Sequence, residues 1–213
     1  MNVIQFNDYW IATDVYLSQD KRNDNAKLVY NHLHNTLNWT PQAVAGIIGN
    51  MDVESTVNPA LIQGRNIHTL IDNYSCLSIS SSTGVGLVQW TGDTSTPPVG
   101  QKLASFAIRY GMDWYNGELQ CFRLQREYEE NIQFDPGTVD GVYWDWESYI
   151  TSKESPSILA KVWQYLYERG GTDTETRQRK ALYYYRILTR MPLIIYANTY
   201  NKRKVVKARC QGI

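Results

Sequence analysis

Gly49-Asn50-Met51-Asp52-Val53-Glu54-Ser55-Thr56-Val57-Asn58-Pro59 sets a carboxylate at the end of a helix that has to be buried. The helix is argued from Thr40-Pro41, because threonine accepts a hydrogen bond as N-cap and proline at the first helical position loses no needed donor. Val44, Ile47, Ile48 and Met51 follow the three-four spacing of one buried face, and Glu54 falls on its border. Asn58-Pro59 closes the helix soon after, since the residue before proline is pushed out of helical backbone. A carboxyl set half into an apolar wall has its charged form destabilised, so it keeps its proton towards neutral pH and can donate it. Glu54 is therefore the candidate catalytic acid. A solvated or ion-paired glutamate at a helix end is the plainer reading of Glu54 taken alone.

The stretch that tips this balance is Gly84-Val85-Gly86-Leu87-Val88-Gln89-Trp90-Thr91. Two glycines at this spacing allow tight turns or the close approach of a polymer, and the apolar run puts Gln89 and Trp90 on opposite faces of a strand. The amide of Gln89 offers both a donor and an acceptor, which suits the hydroxyl and N-acetyl groups of a sugar. Trp90 reads as core.

In order and spacing these blocks resemble the lysozyme-like superfamily, and more closely the phage tail lysozymes. The family's Gly-Asn-Met, Glu-Ser, Asn-Pro and Gly-Leu-Val-Gln-Trp-Thr are met by Gly49-Asn50-Met51, Glu54-Ser55, Asn58-Pro59 and the run from Gly86 to Thr91. Later, Trp163-Gln164-Tyr165-Leu166-Tyr167-Glu168-Arg169 is similar to its Tyr-Glu-Arg-Pro segment, with Gly170 in place of the proline. The resemblance spans roughly residues 21–190. It implies an α+β, mainly helical, two-lobed domain with a small β-hairpin region beside an active-site cleft. It also implies cleavage of peptidoglycan between N-acetylmuramic acid and N-acetylglucosamine. Glu54 would be the catalytic acid, Gly86 and Gln89 would line the sugar groove, and Tyr167 would reach Glu54 or the substrate. No cofactor or metal is implied. The implied partners would be peptidoglycan glycan strands and other phage tail proteins. The chain would be made in the host cytoplasm, sit on the virion tail and act on the bacterial cell wall.

Composition agrees with one enzyme-sized domain. The 213 residues are 43% hydrophobic and 20% charged, an ordinary globular balance. Lys plus Arg and Asp plus Glu number 21 each, so no global field steers the chain to nucleic acid. The 16 Tyr and 7 Trp fit sugar platforms, yet packing and assembly take up most such rings. Cys76, Cys121 and Cys210 are odd in number and far apart, which argues against a disulfide framework and for folding in a reducing cytosol. Residues 1–10 lack the pattern of a secretory signal, and no run approaches a membrane span.

Along the chain, residues 1–20 read as an aromatic arm, 21–190 as the catalytic domain, and 191–213 as a strand-like and basic tail that is either solvated or a docking segment. Ala26, Val29, Tyr30, Leu33 and Leu37 form a helical stripe with Asp20, Asn23 or Asp24 as cap. Residues 60–90 read as the small β-hairpin with a serine-rich tip at residues 78–83. Further helices are expected around Leu103 to Tyr110, stopped by Gly111, over residues 118–131, from Ser155-Pro156 onward, and through Ala181 to Leu188, ended by Pro192. Asp135-Pro136-Gly137 reads as a turn.

Other chemistries lack support. His32, His34 and His68 show no zinc spacing, and Gly84-Val85-Gly86 lacks the context of a dinucleotide site. A second carboxylate is not identified: Asp72 and Asp93 flank the glycine segment, and Asp52 points away from Glu54 on the helix. Hydrolysis, ring closure by the sugar's own hydroxyl as in lytic transglycosylases, and a non-catalytic tail role therefore all stay open.

Overall fold

The computed structural model describes residues 9–65, 69–92 and 102–190. Asp93, His68, Pro192, Cys210 and the tail 191–213 lie outside the described residues. Within them the chain forms α1 (Gln19–Tyr30), a π-helical turn (Asn31–Thr36), α2 (Pro41–Ser55), α3 (Asn73–Leu77), α4 (Leu103–Tyr110) and α5 (Gly117–Glu129). It continues with β1 (Gly137–Val139), β2 (Val142–Trp144), α6 (Trp146–Thr151), α7 (Pro156–Leu166) and α8 (Thr174–Thr189). This is a mainly helical α+β fold of the lysozyme type.

The axis of the molecule is α2. Thr40 caps it, its Oγ1 accepting from the Ala43 N–H at 3.3 Å. The helix is buried on every side from Ala43 to Asp52 rather than along one face, as expected of a helix packed all round by others. Two glycines permit this. A Cβ on Gly49 would stand 2.7 Å from the backbone of Arg177 and Ala181 in α8, and one on Gly46 would stand 3.0 Å from Leu159 in α7. The backbones of α7 and α8 can thus close on α2, while α3, α4 and α5 form a second group.

Several local expectations are corrected. Ser18, not Asp20, Asn23 or Asp24, stands at the N-cap of α1, so those three lie inside the helix. α2 is ended by Thr56 and Val57, both left-handed at φ 58° and 54°, before Asn58-Pro59 is reached. Their N–H groups return to the Asp52 and Met51 carbonyls at 3.1 and 3.2 Å. A β-branched valine at positive φ is strained.

The regular hairpin is not in residues 60–90. That region carries α3 and only the isolated bridges Ile62↔Val85 and Val85↔Trp90. Positive φ at Gly86 and Gln89 curls the chain into a turn before a ladder can extend. The hairpin is β1–β2, whose Val139↔Val142 pairing leaves a two-residue loop. Asp140 and Gly141 both have positive φ, 51° and 80°, as a type I′ turn requires. Asp135-Pro136-Gly137 is no turn: Asp135 donates to the Leu166 carbonyl at 2.8 Å, and Gly137 opens β1.

Residues 9–18 pack on the domain. Asn58 holds the Thr13 and Val15 carbonyls through Nδ2 at 2.6 and 2.8 Å, and Leu17 donates to Thr56 Oγ1 at 2.9 Å.

Candidate active site

Glu54 sits in the last turn of α2 with its side chain 24% exposed. The wall beside it is cationic, not apolar. Arg177, from α8 and itself buried, places Nη2 2.5 Å from Glu54 Oε1. The guanidinium is held from behind: Nη1 donates to Asn50 Oδ1 at 2.9 Å. Asn50 is in turn fixed by donating to the Gly46 and Ala160 carbonyls, both at 3.0 Å. The Gly49-Asn50 pair thus has two jobs, admitting the α8 backbone and orienting the arginine that grips Glu54. A Cβ on Gly171 would come within 3.3 Å of Arg177 Nη2, so that glycine also keeps the space clear.

Ser55 ties this helix end to the glycine segment. Its Oγ donates to the Leu87 carbonyl at 2.8 Å. The segment itself closes through the reciprocal Val85–Trp90 backbone bonds at 3.0 and 2.9 Å. Gly86 is buried at φ 79°, and a Cβ there would stand 2.7 Å from Gln120 Oε1. That amide accepts from Leu87 N–H at 2.8 Å and donates to the Pro59 and Trp114 carbonyls at 2.7 and 2.8 Å. Gln89 is half-buried, with Nε2 donating to the Gly86 and Leu61 carbonyls at 2.8 and 3.2 Å. In this state Gly86 and Gln89 shape the turn beside Glu54.

Tyr167 lies elsewhere than the resemblance implied. It is 1% exposed and stacks on Trp163 with centroids 3.9 Å apart. Its hydroxyl donates to Glu127 Oε2 at 2.6 Å and receives Trp90 Nε1 at 2.9 Å, so it is turned into the core and not towards Glu54. Trp90 is a core residue, and Arg123 lies over its ring at 4.8 Å while donating to Glu127 at 2.9 Å. Burial and the neighbouring Glu127 charge push the Tyr167 hydroxyl well above its ordinary value.

The next residue brings a carboxyl that sequence reasoning missed. Glu168 is half-buried and accepts from Trp163 Nε1 at 3.0 Å. Burial first, then the charge of Glu54, pushes its carboxyl up to about 8, against the opposing pull of the Trp163 bond and Arg177. It therefore carries a proton at neutral pH. The signal was present in Tyr167-Glu168-Arg169, but nothing in one dimension says which of the three feels the Glu54 charge. Its turn is built from Arg169 at φ 59°, Gly170 at 140° and Gly171 at 102°. Proline is locked near −65° and could not occupy Gly170.

The other candidate acids are committed elsewhere. Asp72 caps α3, accepting from Ser75 N–H at 2.7 Å, which holds its carboxyl below the ordinary range. Asp52 is buried against Arg22 at 2.8 Å, Tyr184 at 2.5 Å and Lys180 at 3.2 Å, on the side of α1 and α8. His34 Nδ1 bonds the Trp39 carbonyl at 2.7 Å, and burial lowers His32 to about 4. Cys76 and Cys121 are free and buried, with thiols pushed upward by desolvation. Among the described residues no cluster of His, Cys, Asp and Glu is placed to hold a metal, and no helix is long and apolar enough to cross a membrane.

The chain is also similar to known proteins. Morphogenesis protein 1 of Bacillus phage B103 is 28% identical over 179 residues, which cover 84% of this chain and 43% of that protein. The chain thus spans less than half the length of the relative it matches. The phage tail lysozyme family matches residues 24–188, from within α1 to within the last turn of α8, taking in every element that builds the Glu54 site. The chain belongs to the phage tail lysozyme family.

Proposed function

We propose that this chain is a muramidase of a phage tail, hydrolysing the bond between N-acetylmuramic acid and N-acetylglucosamine during wall penetration. The observation that carries the reading is the held position of Glu54: an accessible carboxyl at the end of a buried helix, oriented by Arg177 and Asn50. Family membership supports the substrate class. The polymer would lie along the turn from Gly86 to Gln89, which Ser55 keeps in register with Glu54. Glu54 would deliver a proton to the glycosidic oxygen as the bond to the anomeric carbon breaks, and water would complete the hydrolysis. Other tail proteins are the proposed assembly partners.

One observation favours a second reading. Asp72 is spent on a helix cap, so it is not available as a nucleophile opposite Glu54. A lytic transglycosylase, in which the sugar's own hydroxyl attacks, needs no such partner. Its products would end in anhydro-muramoyl groups.

The role of Glu54 is tested by Glu54→Gln, which keeps shape and removes the proton. Turbidity loss of purified walls should slow by about 10²–10⁴-fold, the usual worth of positioned acid catalysis. Activity within a few-fold of the parent, at matched folding, would sink this role.

A further inference from the structure

We propose that residues 10–17, the segment ahead of α1, are a positioning strap that keeps Glu54 in register with the Gly86–Gln89 turn. The inference rests on the reading of Glu54 given above and adds a segment to it. The phage tail lysozyme match begins at residue 24, so the strap lies before it. Its bonds gather on the exit of α2. Asp52 and Thr56 flank Glu54 in sequence, and both are tied to Leu17. The Leu17 N–H donates to Thr56 Oγ1 at 2.9 Å. The Leu17 carbonyl accepts from Arg22 Nε at 2.7 Å, and Arg22 Nη1 holds Asp52 at 2.8 Å. Asn25 clamps Ile11 from both sides, accepting from its N–H at 2.9 Å and donating to its carbonyl at 2.8 Å. The same amide nitrogen donates to the Val57 carbonyl at 2.8 Å. With Asn58 on the Thr13 and Val15 carbonyls, three successive residues after Ser55 are bonded to the strap or to the asparagine that clamps it.

Those bonds fall where the backbone needs them. Thr56 and Val57 are both left-handed, a conformation that β-branched residues keep only where the surroundings over-determine it. Ser55, whose Oγ sets the helix end against Leu87, stands directly before them. The other end of the strap reaches the second group of helices. A Cβ on Gly117, at the start of α5, would stand 2.2 Å from the Trp10 ring, so the glycine makes the seat for that indole. One turn further along α5, Gln120 holds the glycine turn through the Leu87 N–H. The strap therefore runs from the helix end that carries Glu54 to the helix that holds the turn beside it.

The test uses the full chain. Thr56→Val keeps the shape and the β-branch but removes the acceptor for Leu17. On soluble glycan strands its kcat should fall by about 10–10²-fold, the scale of a misplaced reacting group, with KM held within about twofold. Thr56→Ser keeps the acceptor and should restore most of the loss. A kcat equal to the parent in folded Thr56→Val, a loss confined to KM, or a loss that serine does not restore overturns the proposal. If Thr56→Val does not fold, Trp10→Ala, which empties the seat on Gly117, carries the same kcat test. Hydrogen exchange gives a readout that does not pass through activity. In Trp10→Ala the Val57 and Asn58 amides should exchange about tenfold faster or more than in the parent, with the α7 amides unchanged. Unchanged exchange at those two amides overturns the strap. An active Glu54→Gln protein would instead defeat the assignment of Glu54, and the exchange measurement would still judge whether the strap holds the exit of α2.

Discussion

Arg177 decides what kind of glutamate Glu54 is. The sequence pattern places Glu54, Ser55 and Asn58 together at one helix end, and the folded chain sends each to a distant partner: Glu54 to Arg177, Ser55 to Leu87, and Asn58 to Thr13 and Val15. The pattern does not mark Arg177 and Asn50 as partners, since their contact crosses 127 positions of chain and depends on α8 lying against Gly49. The apolar wall expected beside Glu54 was inferred from α2 alone, and the wall is supplied by another helix. Glu168 was hidden for the same reason. Its stability signature is testable apart from catalysis. The folded state holds the Glu168 proton up to about pH 8, whereas the unfolded chain releases it near 4.5. Between those values the folded state binds more protons, so stability falls as pH rises, by at most about 1.4 kcal/mol per pH unit. Glu168→Gln should therefore raise the Tm at pH 8 relative to wild type, with the gain shrinking towards pH 4.5. Thermal melts across that range check it, and a gain that does not depend on pH would contradict it.

At the scale of elements, capping and stop signals marked three helix ends in the sequence. Thr40-Pro41 and Ser155-Pro156 each supply a side-chain acceptor at a helix start, and Gly111 turns left-handed where α4 stops. The β structure was misplaced for a physical reason. Val85, Leu87 and Val88 have strand composition, but buried glycine and a left-handed Gln89 make that segment a loop bound by side chains. The true hairpin has three-residue strands, and only Val139 and Trp144 are buried, too little alternation to read against Asp140-Gly141. The hairpin braces the end of α7, where the Asp135–Arg169 pair at 2.5 Å pins the turn that carries Glu168. Gly170 belongs to that turn. Gly170→Pro, which restores the familiar Tyr-Glu-Arg-Pro pattern, should destabilise the protein by more than about 1 kcal/mol, because φ 140° is closed to proline and the Gly170 N–H bond to Gln164 is lost. Chemical denaturation of the variant measures this, and an unchanged or raised midpoint would show that the turn relaxes freely.

For the whole molecule, the family match ends at residue 188 within α8, which terminates at Thr189. We expect residues 193–213 to be dispensable for glycan cleavage and required for incorporation into the particle. Truncation after Arg190 tests both halves, through turbidity loss of purified wall and the protein content of assembled virions. A folded truncated chain that cannot cleave, or one that enters particles at the normal level, would refute the division. The proposed hydrolysis of the glycan strand by Glu54 is tested by mass spectrometry of purified peptidoglycan digested by the wild type and by Glu54→Gln. Muropeptides ending in reducing N-acetylmuramic acid are expected from the wild type and almost none from the variant. Products ending only in anhydro-muramoyl groups, or no new glycan ends at all, would contradict it.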